Sequence, residues 1–218
     1  MNNVDFLANV RALVLQRKYL IINLLVLISC LVSLMVLSLY GKSNRWYLKK
    51  PDLQVSGSPH LAFFTWRDNG VKGRVLFLFD RSIGISPMED TLTPNNYIYK
   101  AMHFNLLRKV YQVVPDQSWE EVERALRNNP YAISADGVFR IPVEGVSVYV
   151  MRLRDVGIIK EKVLVTINAD AWPASDLSSI ADLLADRKIE SDLVTIAGNP
   201  SQDILQKIDK VIHEIPKK

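Results

Sequence analysis

Residues Leu20 to Leu39 (LIINLLVLISCLVSLMVLSL) run for twenty positions without a charge, interrupted only by Asn23 and scattered serines. A helix of that length is about 30 Å long, which matches the hydrocarbon thickness of a bilayer, so the pattern predicts a transmembrane helix over 19–40. Beyond it the pattern changes. Leu61 to Trp66 (LAFFTW) reads as a β-prone apolar run, Asp68-Asn69-Gly70 as a turn, and Arg74 to Phe79 (RVLFLF) as a second strand. Continuous apolar runs suit strands buried on both faces. Asn96 to Leu107 has apolar positions at helical spacing, and Lys109 to Val114 reads as a strand. Ser118 opens a helix with Glu121 three residues on, a capping-box pattern. Gly137 to Leu153 holds two β-rich segments around Pro142, Glu144 and Gly145, which predicts a hairpin at a sheet edge. A strand over Lys162 to Ile167, a helix over Asp176 to Asp186, a strand over Asp192 to Ala197 and a helix over Gln202 to His213 follow, the last with Ser201 at its N-cap.

Strands alternating with helices imply crossover connections and a mostly parallel sheet covered on both faces. The fold class is therefore α/β: a single transmembrane helix followed by a three-layer α/β/α domain. Residues 1–18 form an N-terminal tail, 41–59 a juxtamembrane linker that includes KKPDLQVSGSP, and 60–218 the domain.

A cleaved signal peptide competes with the anchor, because it too places basic residues before an apolar run. Its apolar region is shorter and ends at a small-residue cleavage site, whereas here Tyr40, Lys42, Arg45, Trp46 and Tyr47 follow. The aromatic residues suit the membrane interface. Arg11, Arg17 and Lys18 before the span nearly balance Lys42, Arg45, Lys49 and Lys50 after it, so charge does not set the orientation. A short tail and a large C-terminal domain favour export of the domain. Cys30 lies within the span, and no other cysteine reports the redox compartment. The span carries no charged group, which argues against a pump or a stator subunit. Ser29 and Ser33 give a small-residue spacing for helix pairing, or simply face lipid.

Charge by segment revises the apparent basicity. The formal net charge is +4; residues 1–52 carry seven Lys/Arg against two Asp, which is +5, and residues 53–218 carry twenty against twenty-one acids, which is −1. The basic flanks suit anionic headgroups. The domain has no electrostatic footprint for nucleic acid.

In an open α/β sheet, ligands bind outside the carboxyl ends of the strands. Asp80, Asp116, Asn168, Asp170, Gly198 and Asn199 fall there. Asp80 and Asp170, near Asn168 and Ser82, could make a metal or acid/base site; the competing reading is that Asp and Asn at strand ends cap loops and helices. Asp116 follows Pro115 and reads as turn initiation. Of the histidines, His103 reads as a half-buried helix residue, His213 as a helix C-terminal residue, and His60 stays a site candidate. No spacing among them is that of metal ligands, and no nucleotide-binding or serine hydrolase motif is present.

The segments VLFLFDRSIGIS, NNYIYKAMHFNLLRKVYQVVPD and KVLVTINADAW together resemble the arginase/deacetylase-like ureohydrolase fold, in its peptide-arginase-like branch. In that family one strand ends in Asp-x-His-x-Asp and a later one in Asp-x-Asp, and these side chains bind one or two divalent metals. Here Asp80 and Asp170 match, while Ser82, Gly84 and Asn168 depart. The resemblance implies a fold that keeps its shape and has lost the ligand charge a metal needs.

Two functions follow as expectations. The first is a membrane-anchored binding or scaffold component of a cell-envelope assembly, such as polysaccharide export or secretion. It is non-catalytic, has no cofactor, its partners are the lipid bilayer and a protein, and its domain is extracytoplasmic. The second is a membrane-anchored, metal-dependent hydrolase using a divalent ion such as Mn or Zn, with Asp80, Asp170, Asn168 and His60 as the site.

Overall fold

In the computed structural model, Arg74–Phe79 is a strand buried from Val75 onward. Val75, Phe77 and Phe79 enter one hydrophobic cluster, and Leu76 and Leu78 enter another. Successive strand side chains point to opposite faces, so an uninterrupted apolar run is what a strand between two helical layers requires. The structure describes residues 28–29, 52–82, 85–86 and 90–214. Of the transmembrane segment expected over 19–40, only Ile28 and Ser29 are described, both helical and exposed; the rest lies outside the described residues. Among the described residues, no helix is long and apolar enough to cross a membrane.

The described strands are β1 (Asp52–Ser56), β2 (Arg74–Phe79), β3 (Leu107–Val114), β4 (Ile133–Ala135), β5 (Val138–Val143), β6 (Val146–Arg152), β7 (Val163–Asn168) and β8 (Ser191–Ala197). They form one sheet in the order β1, β8, β7, β2, β3, β6, β5, β4. Pairing is parallel from β1 through β6 and antiparallel from β6 to β5 and β5 to β4. The helices are α1 (Ala62–Asp68), α2 (Tyr97–His103), α3 (Asp116–Arg127), α4 (Ala174–Asp186) and α5 (Gln202–Glu214). Trp66 of α1, Ile98 of α2 and Trp119 of α3 pack with Leu76 and Leu78 on one face. Ile180 of α4 and Ile208 of α5 pack with Phe77 and Val165 on the other. The domain is three-layer α/β with a mostly parallel sheet.

Several elements differ from expectation. Leu61 to Trp66 is not a strand: Pro59–Leu61 is a 3₁₀ turn and Ala62 begins α1. Ala62, Phe63 and Trp66 are buried while Phe64 is exposed, a helical spacing that a six-residue apolar run does not reveal on its own. The Asp68-Asn69-Gly70 turn is the end of that helix. Gly70 (φ 66°) donates to Arg67 O and Val71 to Trp66 O, the paired bonds of a Schellman cap.

Asp52–Ser56, read from sequence as linker, is the edge strand β1, parallel to β8 from Asp52↔Leu193 to Ser56↔Ala197. Its polar composition reflects an edge that buries little. Helix α3 starts at Asp116 rather than Ser118; Pro115 enters with φ −58° and its carbonyl accepts from Ser118 N–H, so Ser118 sits in the first turn and makes no cap bond. The predicted hairpin is present as β5 and β6, joined by Glu144 and Gly145, both with positive φ as a type I′ turn requires. Pro142 lies beyond the end of β4, where β5 is itself an edge. Ser201 caps α5 as predicted, its Oγ accepting from Ile204 N–H at 3.4 Å.

Candidate functional site

Strand β2 leads through α2 to β3 on one side of it, whereas β7 leads through α4 to β8 on the other side. The connections diverge between β2 and β7, which opens a crevice at their carboxyl ends. Asp80 follows β2 there, and Asn168 ends β7.

Strand β3 fixes the backbone of Asp80. Asp80 N–H donates to Val113 O at 3.2 Å, and the amide of the fully buried Gln112 donates to Asp80 O at 3.1 Å. The side chain then crosses to the neighbouring strand end. Asp80 Oδ1 accepts from Asn168 Nδ2 and from Ser82 N–H, each at 3.1 Å. The carboxyl is only 4% exposed, and this burial raises its pKa above the ordinary value. The Ser82 N–H, the Asn168 amide and the nearby Arg81 pull it down by less. Below it, Tyr97 is fully buried and its hydroxyl has no hydrogen-bond partner among the described residues. Burial pushes the Tyr97 pKa well up, and the charge of Asp80 adds to that.

Asp170 stands in a 3₁₀ turn directly after β7 and is exposed. Its Oδ1 accepts from Asn199 N–H at 3.2 Å, which ties the end of β7 to the loop after β8. Gly198, next to Asn199, has φ 91° and donates to Ser56 O at 3.0 Å, so the same loop also holds the end of β1.

Asp80, Ser82, Asn168 and Asp170 share a cavity of about 450 Å³, with Trp172 in its wall. Gln117 and Ser118, from the first turn of α3, reach it as well. His60 does not line it; its Nδ1 pairs with Ser58 Oγ at 2.7 Å, and the neighbouring Pro59 faces the cavity instead. Asp116 heads α3 exposed and outside the lining. His103 is exposed rather than half-buried, 3.9 Å from Glu144, and His213 Nδ1 sits 2.8 Å from Asp209 O within α5. Gly84 lies outside the described residues.

Sequence reasoning missed Gln112, Tyr97, Trp172, Gln117 and Ser118. Trp172 could have been found, since it lies two residues beyond Asp170 on the same strand-end loop. Gln112 and Tyr97 carry no signal of their own, because their roles depend on which strand neighbours β2.

The donor set does not fit a divalent metal. Among the described residues, no group of three His, Cys, Asp or Glu side chains is placed to hold one. Asp80 and Asp170 each have an oxygen already accepting a protein N–H. Asn168 turns a donor toward Asp80, whereas a metal needs an oxygen there.

No protein-family model matches the chain, and no curated protein matches it. Among solved structures, formimidoylglutamase from Bacillus subtilis subsp. subtilis str. 168 is similar at 10% sequence identity and a TM-score of 0.44, over 74% of this chain and 58% of that chain. The chain thus spans less than two thirds of that protein's length. The likeness is a distant resemblance of fold alone.

Proposed function

We propose that the chain is a single-pass, membrane-tethered α/β module that binds or scaffolds a partner of the cell envelope and performs no metal-dependent catalysis. One observation carries this reading: the two acidic side chains at the crevice are engaged by the protein's own N–H groups, Asp80 by Ser82 and Asn168, and Asp170 by Asn199. Such bonds make Asp80 and Asp170 stitches between strand ends. The cavity they border is large enough for a small ligand or a side chain of a partner. The uncharged run from Leu20 to Leu39 and its basic flanks support the tether. The domain then works outside the cytoplasm with the bilayer and a protein as its partners.

The test is metal content and thermal stability of the full chain in detergent, with Mn²⁺, with Zn²⁺ and with chelator. The expected result is no co-purifying divalent ion and no change in Tm. A ligand specific for the folded state, present at a hundred times its Kd, adds about 2.7 kcal/mol of stability. A rise of that size with metal, reversed by chelator, overturns the reading.

A second reading, a membrane-anchored hydrolase, is favoured by the Asp80 carboxyl alone, which sits in a cleft with its pKa raised by burial. It predicts hydrolytic turnover by the purified chain that Asp80→Asn abolishes. Turnover unaffected by Asp80→Asn removes it.

A further inference from the structure

Five aromatic rings form an unbroken series over α1 and α2. Phe64, Phe63, Phe104, His103 and Tyr99 follow one another with centroid separations of 5.7, 6.1, 5.6 and 6.3 Å. The inner sides of these helices, Ala62, Phe63 and Trp66 on α1 and Ile98, Ala101 and Met102 on α2, already supply the core. Core packing therefore does not account for Phe104, 62% exposed, or for Phe64 and Leu61, 37% and 39% exposed. Exposed apolar residues scattered singly need no explanation, but Phe64 and Phe104 both contact the buried Phe63 between them and so belong to one patch. The Arg67 guanidinium lies 5.0 Å from the Phe64 ring centre and pairs with Asp68 at 2.9 Å, while Tyr99 at the other end bonds Glu144, so the ridge is an apolar strip between balanced charges.

The chain preceding β1 says what this surface meets. Twelve residues, 40–51, separate the end of the apolar run from Asp52, and a chain that long spans at most about 40 Å. Those residues include Lys42, Arg45, Lys49 and Lys50 with no acid, and also Tyr40, Trp46 and Tyr47. That composition belongs beside anionic headgroups. Leu61 and Phe64 come only five and eight residues after the end of β1.

We propose that the Phe64–Phe104 ridge docks against the headgroup layer of the bilayer that holds the chain's own anchor. The inference rests on the tethered reading. Aromatic rings enter the interfacial zone while the basic residues Lys42, Arg45, Lys49 and Lys50 meet lipid phosphate, the arrangement by which amphipathic surfaces bind membranes. Docking lays the domain on the membrane surface.

The experiment uses the full chain, labelled with 4-fluorophenylalanine, in nanodiscs of phosphatidylcholine with phosphatidylglycerol, with and without lipid spin-labelled near the headgroup. Phe64→Leu and Phe104→Leu assign the two resonances. The expected result is broadening of the Phe64 and Phe104 signals by the spin label, with the signals of the buried Phe77 and Phe139 unaffected, and a loss of broadening at Phe104 in Phe64→Ser/Arg67→Glu. Alkaline carbonate extraction reports the anchor separately. A chain that resists carbonate yet shows no broadening overturns docking and leaves the tether standing. A chain that carbonate releases overturns the tether, and docking with it. Absence of broadening combined with a dimer that Phe104→Ser dissolves assigns the ridge to a second copy and also overturns the proposal.

Discussion

Gly198 and Asp170 touch so closely that a Cβ on residue 198 would lie 2.5 Å from Asp170 Cγ. Glycine is required there twice over, by this approach and by its φ of 91°. The contact presses the Asp170 carboxylate against the loop, where Asn199 N–H binds it. Gly198→Ala should cost about 2 to 3 kcal/mol, of which about 1 to 2 comes from backbone strain. The steric part is separable. In an Asp170→Ala background the carboxylate is gone, so Gly198→Ala should cost less than in the native chain, and urea denaturation of the four proteins of this cycle measures the difference. Equal costs in both backgrounds would show that only the φ matters.

Asp80 gives a pH dependence of unusual sign. Its carboxyl has a pKa above 3.8 in the folded state because burial outweighs its hydrogen bonds. From about the unfolded value up to the folded one, the native state binds more protons than the unfolded chain. Stability from this group is therefore present at low pH and lost as pH rises through that window. Asp80→Asn removes the titration while keeping an oxygen for Ser82 N–H. Relative to the native chain, the variant should gain stability as pH rises from about 3.8 and then level off. Urea midpoints between pH 3 and 7 measure this, and a variant that loses ground with rising pH shows that the hydrogen bonds outweigh burial.

What was legible in the sequence follows from how each element is buried. Strands β2, β7 and β8 lie between two helical layers, so their central residues are apolar apart from Thr166 and Thr195 and announce themselves. Strand β1 is an edge and carries Asp52, Gln54 and Ser56, so nothing in it distinguishes a strand from a linker. Helix α1 was hidden because LAFFTW is too short to separate two periodicities; only the burial of Ala62, Phe63 and Trp66 does so. The short strand β4 could have been found, since Asp136-Gly137, both with positive φ, is a strong hairpin signal. Asp80, Asn168 and Asp170 were placed by the rule for strand ends. The bonds of Asp80 to Asn168 and of Asp170 to Asn199 were not, because they depend on β7 lying between β2 and β8, which is a property of strand order.

At the opposite edge of the sheet a second carboxylate is held differently. Asp192, at the start of β8, is 4% exposed and is paired with Arg74 from the start of β2 and with Lys162 just before β7. Asp192→Ala leaves two cations facing each other in a partly buried site. The cost should be about 3 kcal/mol. Asp68→Ala, which removes the exposed pair with Arg67, should change stability by about 0.5 kcal/mol or less. Chemical denaturation of both variants checks the contrast, and comparable costs would show that Asp192 is no clamp.

The departures from the metal motif are themselves testable by reversal. Ser82→His with Asn168→Asp sets an imidazole and another carboxylate at the cavity that Asp80 and Asp170 already border. Without metal, the new carboxylate faces Asp80 where an amide donor stood, so like charges meet in a site with little water. The metal-free variant should be less stable than the native chain, by about 1 to 3 kcal/mol for the lost bond to a buried acceptor. Mn²⁺ or Zn²⁺ should then restore it, raising Tm in a way that chelator reverses, because two or three carboxylates and an imidazole offset the desolvation of a divalent ion. The native chain should show no such response. Thermal melts of both proteins, with metal and with chelator, decide the matter: an equal rise in the native chain means that its hydrogen-bonded carboxylates already release their partners for a metal, and the strand ends are then a working site.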